Sequence, residues 1–259
     1  VQRELVEALK KAEESDRLKS AFLAQMSHEI RTPLNVILTS IPLIADEISS
    51  DDEDLKIILD SVKSAGKRLQ RTIDMILSMS SVQSGNYKAT FEKFDIIPDL
   101  QNMVREFKSL SDDKGLKLKF TQSEDTAFIT ADRYTVNQVF QNLINNAIKY
   151  TLKGYVEVYV KNLKNDKVKI EIRDSGIGMS EEYLQKMFMP FSQEDTGYKR
   201  EFEGNGLGLA LIKKYIELNR AEITVESEKN IGSVFSVVFD KEASFTSSEE
   251  SEKKYSSYN

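Results

Sequence analysis

Asn142-Leu143-Ile144-Asn145-Asn146-Ala147-Ile148-Lys149-Tyr150-Thr151 closes a strongly amphipathic stretch that runs from Tyr134 to Tyr150. Asn142, Asn146 and Tyr150 are four residues apart and share one helical face, with Lys149 beside them. Leu143, Ile144, Ala147 and Ile148 supply the opposite, apolar face. An amide oxygen is a hard ligand suited to Mg²⁺, which keeps waters and takes substrate phosphates as further ligands. Lys149 offers a point charge for a phosphate. A polar outer face of an ordinary helix has the same pattern, so burial alone does not separate the two readings.

Three glycine clusters follow. Asp174-Ser175-Gly176-Ile177-Gly178-Met179 comes directly after an alternating strand pattern. Glu203-Gly204-Asn205-Gly206-Leu207-Gly208-Leu209 comes directly before a helical one, and Ile231-Gly232-Ser233 precedes the last strand. Glycines let backbone amides approach a phosphate with no Cβ in the way, and a cluster opening a helix adds the positive end of its dipole. Each cluster alone also fits a tight turn. No Gly-Lys-Ser/Thr follows and no βαβ unit surrounds them, so neither a Walker loop nor a dinucleotide fingerprint is present.

Around these clusters the pattern predicts helices over 96–110 and 207–218. Strands are expected at 116–120, 155–160, 168–172, 223–225 and 234–239, with Lys164-Asn165-Asp166 as a hairpin turn. Strands and helices that do not strictly alternate predict an α+β sandwich, helices on one face of a sheet.

Upstream, Leu5, Leu9, Ala12, Asp16, Lys19, Leu23, Met26 and Ile30 fall at heptad spacing, with Asp16 and Lys19 interrupting the apolar seam. Residues 1 to about 47 read as one long helix perturbed at Pro33 and Pro42. The Ser49-Ser50-Asp51-Asp52 turn leads to a second helix whose seam is Leu55, Leu59, Val62, Gly66, Leu69, Ile73, Ile76 and Ser80, broken at Ser84-Gly85-Asn86. Two such helices form a hairpin with apolar surface left over, which predicts pairing with a second copy into a dimeric four-helix bundle. A monomer whose hairpin packs on its own second domain is the alternative.

The 259-residue chain holds one histidine, His28, in Ser27-His28-Glu29-Ile30-Arg31-Thr32-Pro33-Leu34. Glu29 is its neighbour and Thr32 lies one turn on. Composition narrows the classes: a net charge of -6 and a pI near 5.2 give no footprint for nucleic acid. The absence of cysteine and the single histidine exclude disulfides and the usual zinc sites. No apolar run approaches the roughly 20 residues that span a bilayer. The opening Val1-Gln2-Arg3-Glu4 is already helical in pattern and is not a signal peptide, so a preceding segment is expected.

These motifs together resemble the catalytic core of the sensor histidine kinases of two-component systems. Ser27 to Leu34 resembles the H box, Asn142 to Thr151 the N box, Asp174 to Met179 and Gly204 to Leu209 the two main glycine boxes, and Met187-Phe188-Met189-Pro190-Phe191 the F box. The resemblance implies a coiled-coil signalling helix (1–17), a dimerisation and histidine-phosphotransfer domain (18–84) and a linker (85–92). An ATP-binding domain of the Bergerat type (93–241) and a disordered tail or linker (242–259) follow.

By the same resemblance, His28 is the phospho-accepting nucleophile and Glu29 takes or orients its second ring proton. Thr32 orients water when a partner receiver is dephosphorylated, a role no better supported than a hydroxyl bonding back along its own helix. Asn146 binds Mg²⁺ and Asn142 supports nucleotide or metal. Lys149 and Tyr150 face phosphate and base or ribose. Asp174 accepts the adenine amino group, and Gly176 and Gly178 allow close approach. Gly204, Gly206 and Gly208 form the lid's hinge and phosphate contact, Phe191 and Leu207 bind nucleotide, and the polar stretch from Phe188 to Glu203 would be the mobile lid. The implied cofactors are ATP and Mg²⁺. The implied partners are a second copy of the chain and the aspartate of a response-regulator receiver, separate or fused. The phrase around His28 resembles hybrid kinases, for which the polar tail would be a linker to a receiver. The implied location is the cytoplasmic portion of a bacterial inner-membrane receptor, reached through an upstream region.

Two departures from the pattern are Asn205, where a small hydroxyl residue is common, and Pro42. Two other functions share the nucleotide boxes or the hairpin. An ATP-driven conformational machine without phosphotransfer would form no acid-labile phosphoprotein, and a non-catalytic dimeric scaffold would bind no nucleotide.

Overall fold

The computed structural model describes residues 30–31, 34–42, 44, 53–194 and 206–241. His28, Glu29, Thr32 and Gly204 lie outside the described residues, as do most of the stretch expected as a long first helix, the turn expected at 49–52 and the residues from 242. The chain divides into two compact units.

The first unit is helical. Residues 34–42 form α1, and residues 30–31 and 44 are helical too. Helix α2 spans Glu53–Gln83 and ends before Gly85, whose φ of 69° suits a helix stop. The two helices meet closely at Gly66. A Cβ there would stand 2.6 Å from Leu38 Cδ2 and 3.5 Å from Leu34 Cδ1, so the missing side chain sets the approach of the helices. Leu34, Ile41 and Ile73 are buried, and Arg31 pairs with Asp74. The seam expected on α2 is only partly covered. Gly66 and Ile73 are buried, whereas Val62 and Leu69 are exposed, as are Val36, Ile37, Ile57 and Ile58. One partner helix covers only part of an apolar stripe this wide.

The second unit is built on a five-stranded sheet of order β2-β4-β5-β7-β6. Its strands are β2 (Lys117–Gln122), β4 (Tyr155–Leu163), β5 (Lys167–Asp174), β6 (Glu222–Glu228) and β7 (Gly232–Asp240). Only the β2–β4 pair is parallel. Val158, Ile172 and Phe235 lie in one row across β4, β5 and β7, and Val160, Ile170 and Val237 in the next. All six are buried, each worth about 1.5–3 kcal/mol relative to exposure. Helices α3 (Ile97–Glu106) and α5 (Arg133–Tyr150) pack on the sheet, and the rings of Phe140 on α5 and Phe239 on β7 lie 6.3 Å apart. This is the α+β sandwich expected. Alternate positions of β4 and β5 carry several charges: Arg173 pairs with Glu157 at 3.1 Å and lies 4.4 Å above the Tyr159 ring. Burial acts to raise the Glu171 carboxyl, but hydrogen bonds from Lys169 and Arg173 outweigh it and hold the carboxyl below its ordinary value.

The hairpin turn falls where expected, as a three-residue loop between the paired Leu163 and Lys167, with Asn165 and Asp166 at φ 70° and 52°. Three features differ from the sequence expectation. A two-stranded ladder pairs β1 (Phe91–Asp95) with β3 (Phe128–Asp132). A short helix, α6 (Glu181–Lys186), follows the first glycine cluster, N-capped by Ser180. The helix expected over 96–110 bends at Phe107 into α3 and α4 (Lys108–Asp113), although Phe107 N still donates to Met103 O at 2.9 Å.

The ends of α5 are fixed by side chains. At its start, Asp132 accepts from Thr135 N (2.9 Å) and Thr90 N (2.8 Å), and Asp132 N donates to Asn219 Oδ1 (2.7 Å). Asn219 Nδ2 donates to Thr135 Oγ1 and to Tyr215 O, both at 2.8 Å. At the other end, Lys114 Nζ donates to the carbonyls of Ile148 (2.8 Å) and Lys149 (3.0 Å), a cation on the negative helix terminus.

Candidate nucleotide site

Helix α5 splits as its sequence requires. Leu143, Ile144, Ala147 and Ile148 are buried, while Asn142, Asn146, Lys149 and Tyr150 are half-buried on the other side. Asn142 Nδ2 donates to Gln138 O at 2.9 Å, which leaves its carbonyl oxygen as an acceptor. The amide of Asn146 has no hydrogen-bond partner among the described residues. Lys149 Nζ donates to the Tyr150 hydroxyl at 3.1 Å and lies 4.6 Å from that ring's centre.

Asp174 ends β5, opposite Val156 on one side and Ser233 on the other. Burial pushes its carboxyl pKa up. Hydrogen bonds from the Gly176 amide and from the amide and hydroxyl of Ser233 partly offset that rise. The Gly176 bond measures 2.9 Å. The chain then turns back against α5, where Ile177 N donates to Tyr150 O at 3.1 Å. A Cβ on Gly176 would stand 2.6 Å from Tyr150 O and 2.8 Å from Asp174 Oδ1. Gly178 has φ 62°, and a Cβ there would lie 1.9 Å from Glu228 O. Close backbone approach therefore requires glycine at both positions, and at Gly178 the positive φ requires it as well.

The third cluster backs the first. Gly232, at φ 138°, faces the carbonyl of Asp174, which a Cβ would meet at 2.0 Å. Ser233, which the sequence marked only as part of a cluster, is buried beside Asp174. Its position opposite Asp174 emerges only from the β5–β7 register. Tyr183 on α6 is a second residue outside the sequence expectation. Burial, then Tyr150 and Glu194, push its hydroxyl up to about 12, so it stays a neutral donor. Glu194 accepts from Ser180 N at 2.9 Å and faces Lys229 Nζ at 3.5 Å.

Phe191, Gly206, Leu207 and Gly208 make a local cluster of their own. Phe191, at φ 63°, donates its amide to Gly206 O at 3.0 Å. Gly206 has φ 69°, Leu207 is buried, and Gly208 opens α7 (Gly208–Leu218). The rest of the second glycine cluster, through Asn205, is outside the described residues.

A carboxylate in a partly buried slot suits a ring amino donor, and a row of amide oxygens beside a lysine suits a metal–phosphate group. No group of three or more His, Cys, Asp or Glu side chains capable of holding a metal occurs among the described residues. The side-chain oxygen of Asn146, completed by phosphate and water, is a donor set that would suit Mg²⁺.

Comparison with known proteins agrees on the class. Residues 18–85 match the His Kinase A (phospho-acceptor) domain, and residues 131–243 match the histidine kinase-, DNA gyrase B-, and HSP90-like ATPase domain. The chain carries both domains of the histidine kinases and is homologous to sensor members of that family. The autoinducer 2 sensor kinase/phosphatase LuxQ of Vibrio parahaemolyticus is 31% identical over 236 residues, covering 89% of this chain and 27% of LuxQ. The chain thus spans about a quarter of that relative's length. Full-length ShkA in complex with AMPPNP shares the fold at TM-score 0.72 and 23% identity, over 86% of this chain and 46% of ShkA. ThkA in complex with the response regulator protein TrrA does so at TM-score 0.61 and 22% identity, over 90% of this chain and 66% of that one. No helix among the described residues is long and apolar enough to cross a membrane.

Proposed function

We propose that this chain uses ATP to phosphorylate His28 and passes the phosphoryl group to an aspartate of a response-regulator receiver domain. The observation that carries the nucleotide half is the placement of Asp174: a partly buried carboxylate that accepts from the Gly176 amide, at the start of a loop pressed against α5. The adenine amino group donates to Asp174, and Gly176 and Gly178 let the base and chain approach. Asn142, Lys149 and Tyr150 line the path from base to phosphates. Asn146 holds Mg²⁺, which neutralises phosphate charge when bound. Phe191, Gly204, Gly206, Leu207 and Gly208 serve the lid that excludes water.

In the transfer step the neutral imidazole nitrogen of His28 attacks the γ-phosphorus, the bond to the β-bridging oxygen breaks and ADP leaves. Glu29 orients or takes the proton on the second ring nitrogen. Catalysis rests on positioning and charge neutralisation. Transfer to a receiver is supported by the complex of ThkA with TrrA. A phosphatase activity, with Thr32 orienting water, is supported by the kinase/phosphatase name of LuxQ. The exposed apolar residues Val36, Ile37, Ile57, Ile58, Val62 and Leu69 support a homodimeric four-helix bundle. The domain limits proposed are 18–84 for phosphotransfer and 93–241 for nucleotide binding, with 1–17 as the signalling helix and any membrane attachment upstream of it.

Incubation with γ-labelled ATP and Mg²⁺ tests the chemistry. Phosphoramidate is stable to alkali and lost in acid, and that lability is expected of the labelled chain. Acid-stable label would place the phosphate on a hydroxyl side chain and contradict the reading.

A further inference from the structure

The last turn of α5 carries Lys149 and Tyr150, and the first glycine loop rests on the Tyr150 carbonyl. An α-helix ends in four carbonyls that its own backbone amides do not reach. Here each has a donor. Ala147 O accepts from Thr151 N at 3.1 Å and from Thr151 Oγ1 at 2.7 Å, and Tyr150 O accepts from Ile177 N at 3.1 Å. The two between them, Ile148 O and Lys149 O, both accept from Lys114 Nζ, at 2.8 and 3.0 Å. An ammonium has three protons, so one side chain can serve both carbonyls.

Lys114 is itself held. It is the C-cap of α4, which closes in a Schellman motif. Leu116 N donates to Ser111 O at 2.9 Å, Gly115 N donates to Asp112 O at 2.8 Å, and Gly115 has φ 67°. Leu116 is buried, and Lys117 N donates to Gly154 O at 3.0 Å, just before β4. The lysine therefore projects from a fixed turn. Its partners lie at the negative end of a helix, so charge reinforces both hydrogen bonds.

We propose that Lys114 is a positioning residue for nucleotide binding: it fixes the last turn of α5, and with it the placement of Lys149, Tyr150 and the Gly176 loop around the nucleotide. The proposal rests on the nucleotide reading of α5 and Asp174. Without Lys114 the carbonyls of Ile148 and Lys149 turn to water, and the last turn frays as helix ends do. The nucleotide must then order that turn as it binds, which costs affinity.

The test is calorimetric binding of ADP to the whole chain, with thermal unfolding measured on every variant. Lys114→Ala and Lys114→Arg are compared with the unaltered protein and with Asn219→Ala, which disturbs the opposite end of α5. Lys114→Ala should weaken ADP binding roughly three- to ten-fold, the range of one net hydrogen bond. Lys114→Arg, which keeps the charge and the donors, should recover most of it. Asn219→Ala should lose stability and keep its ADP affinity, which separates positioning from a weaker fold. Unchanged ADP affinity in Lys114→Ala, an equal loss in Asn219→Ala, or no recovery with arginine would leave Lys114 a helix cap only and overturn the proposal. Inosine diphosphate, which carries a 6-oxo group, tests the reading beneath it. If the unaltered chain prefers ADP and Lys114→Ala binds ADP equally well, positioning by Lys114 alone is wrong. If the unaltered chain binds ADP no better than inosine diphosphate, adenine recognition at Asp174 falls, and this proposal with it.

Discussion

The amide of Gly176 donates to the carboxylate of Asp174 at 2.9 Å, two residues back along the chain. The bond needs the loop to double back tightly enough that Gly176 rests on the Tyr150 carbonyl. A Cβ there would also stand 3.0 Å from Thr151 Oγ1. The acceptor and the glycine beside it are thus one device, and α5 is its wall.

Gly176→Ala should force the loop off α5. Two of its three close neighbours are a backbone carbonyl and a hydrogen-bonded carboxylate, neither free to move. A cost of about 1–3 kcal/mol is expected, with loss of ADP binding, read by thermal unfolding and calorimetry. Wild-type affinity in a folded Gly176→Ala protein would contradict the close packing.

Two glycines with positive φ should separate strain from crowding. Gly85→Ala meets open space, so only the backbone penalty of about 1 kcal/mol applies. Gly178→Ala adds an encounter at 1.9 Å with Glu228 O and should cost several times more. Equal losses in thermal unfolding would show that contact with the Glu228 backbone contributes nothing.

Nucleotide affinity should depend on pH through Asp174. With the ionised carboxylate as the proposed acceptor, affinity should be full above its pKa and lost as pH falls through it. Burial raises that pKa, net of the donors that oppose it. The loss should therefore begin at higher pH than the ordinary aspartate value of about 3.9 would give. Taking the ratio of ADP to inosine diphosphate affinity removes the titration of the phosphates themselves. A ratio flat down to the ordinary carboxylate range would contradict the assignment.

The buried Asn219 amide joins the start of α5 to the end of α7. Asn219→Ala leaves the Asp132 amide without its acceptor and Thr135 Oγ1 without its donor. A loss of about 1–3 kcal/mol is expected from chemical unfolding. The ADP to inosine diphosphate preference should stay unchanged, since the network touches neither Asp174 nor its donors.

Much of this arrangement is legible in the sequence where local chemistry decides it. The apolar rhythm of α5, the Asn165-Asp166 turn and the glycines of the first cluster each have a local cause, and each stands where expected. The β1–β3 ladder is not legible, because Glu92 and Lys93 are adjacent and both exposed, so no alternation marks the strand. Its partner lies beyond α3, α4 and β2. The exposed Val62 and Leu69 show the converse limit: periodicity marks a seam without saying which neighbour covers it. Ser233 is an ordinary strand residue until β7 and β5 lie side by side. Asn142, Asn146 and Lys149 were legible as a polar face, and their half-buried positions are consistent with a ligand-binding wall.

The central claim is that a single imidazole receives the phosphoryl group. The measurement that reaches it most directly is label incorporation from γ-labelled ATP with Mg²⁺ into the unaltered chain and into His28→Gln, with ADP affinity measured on both. The account predicts acid-labile label on the first, none on the second, and equal ADP binding. Undiminished label on His28→Gln would contradict it, since the chain has no other histidine to carry the phosphate.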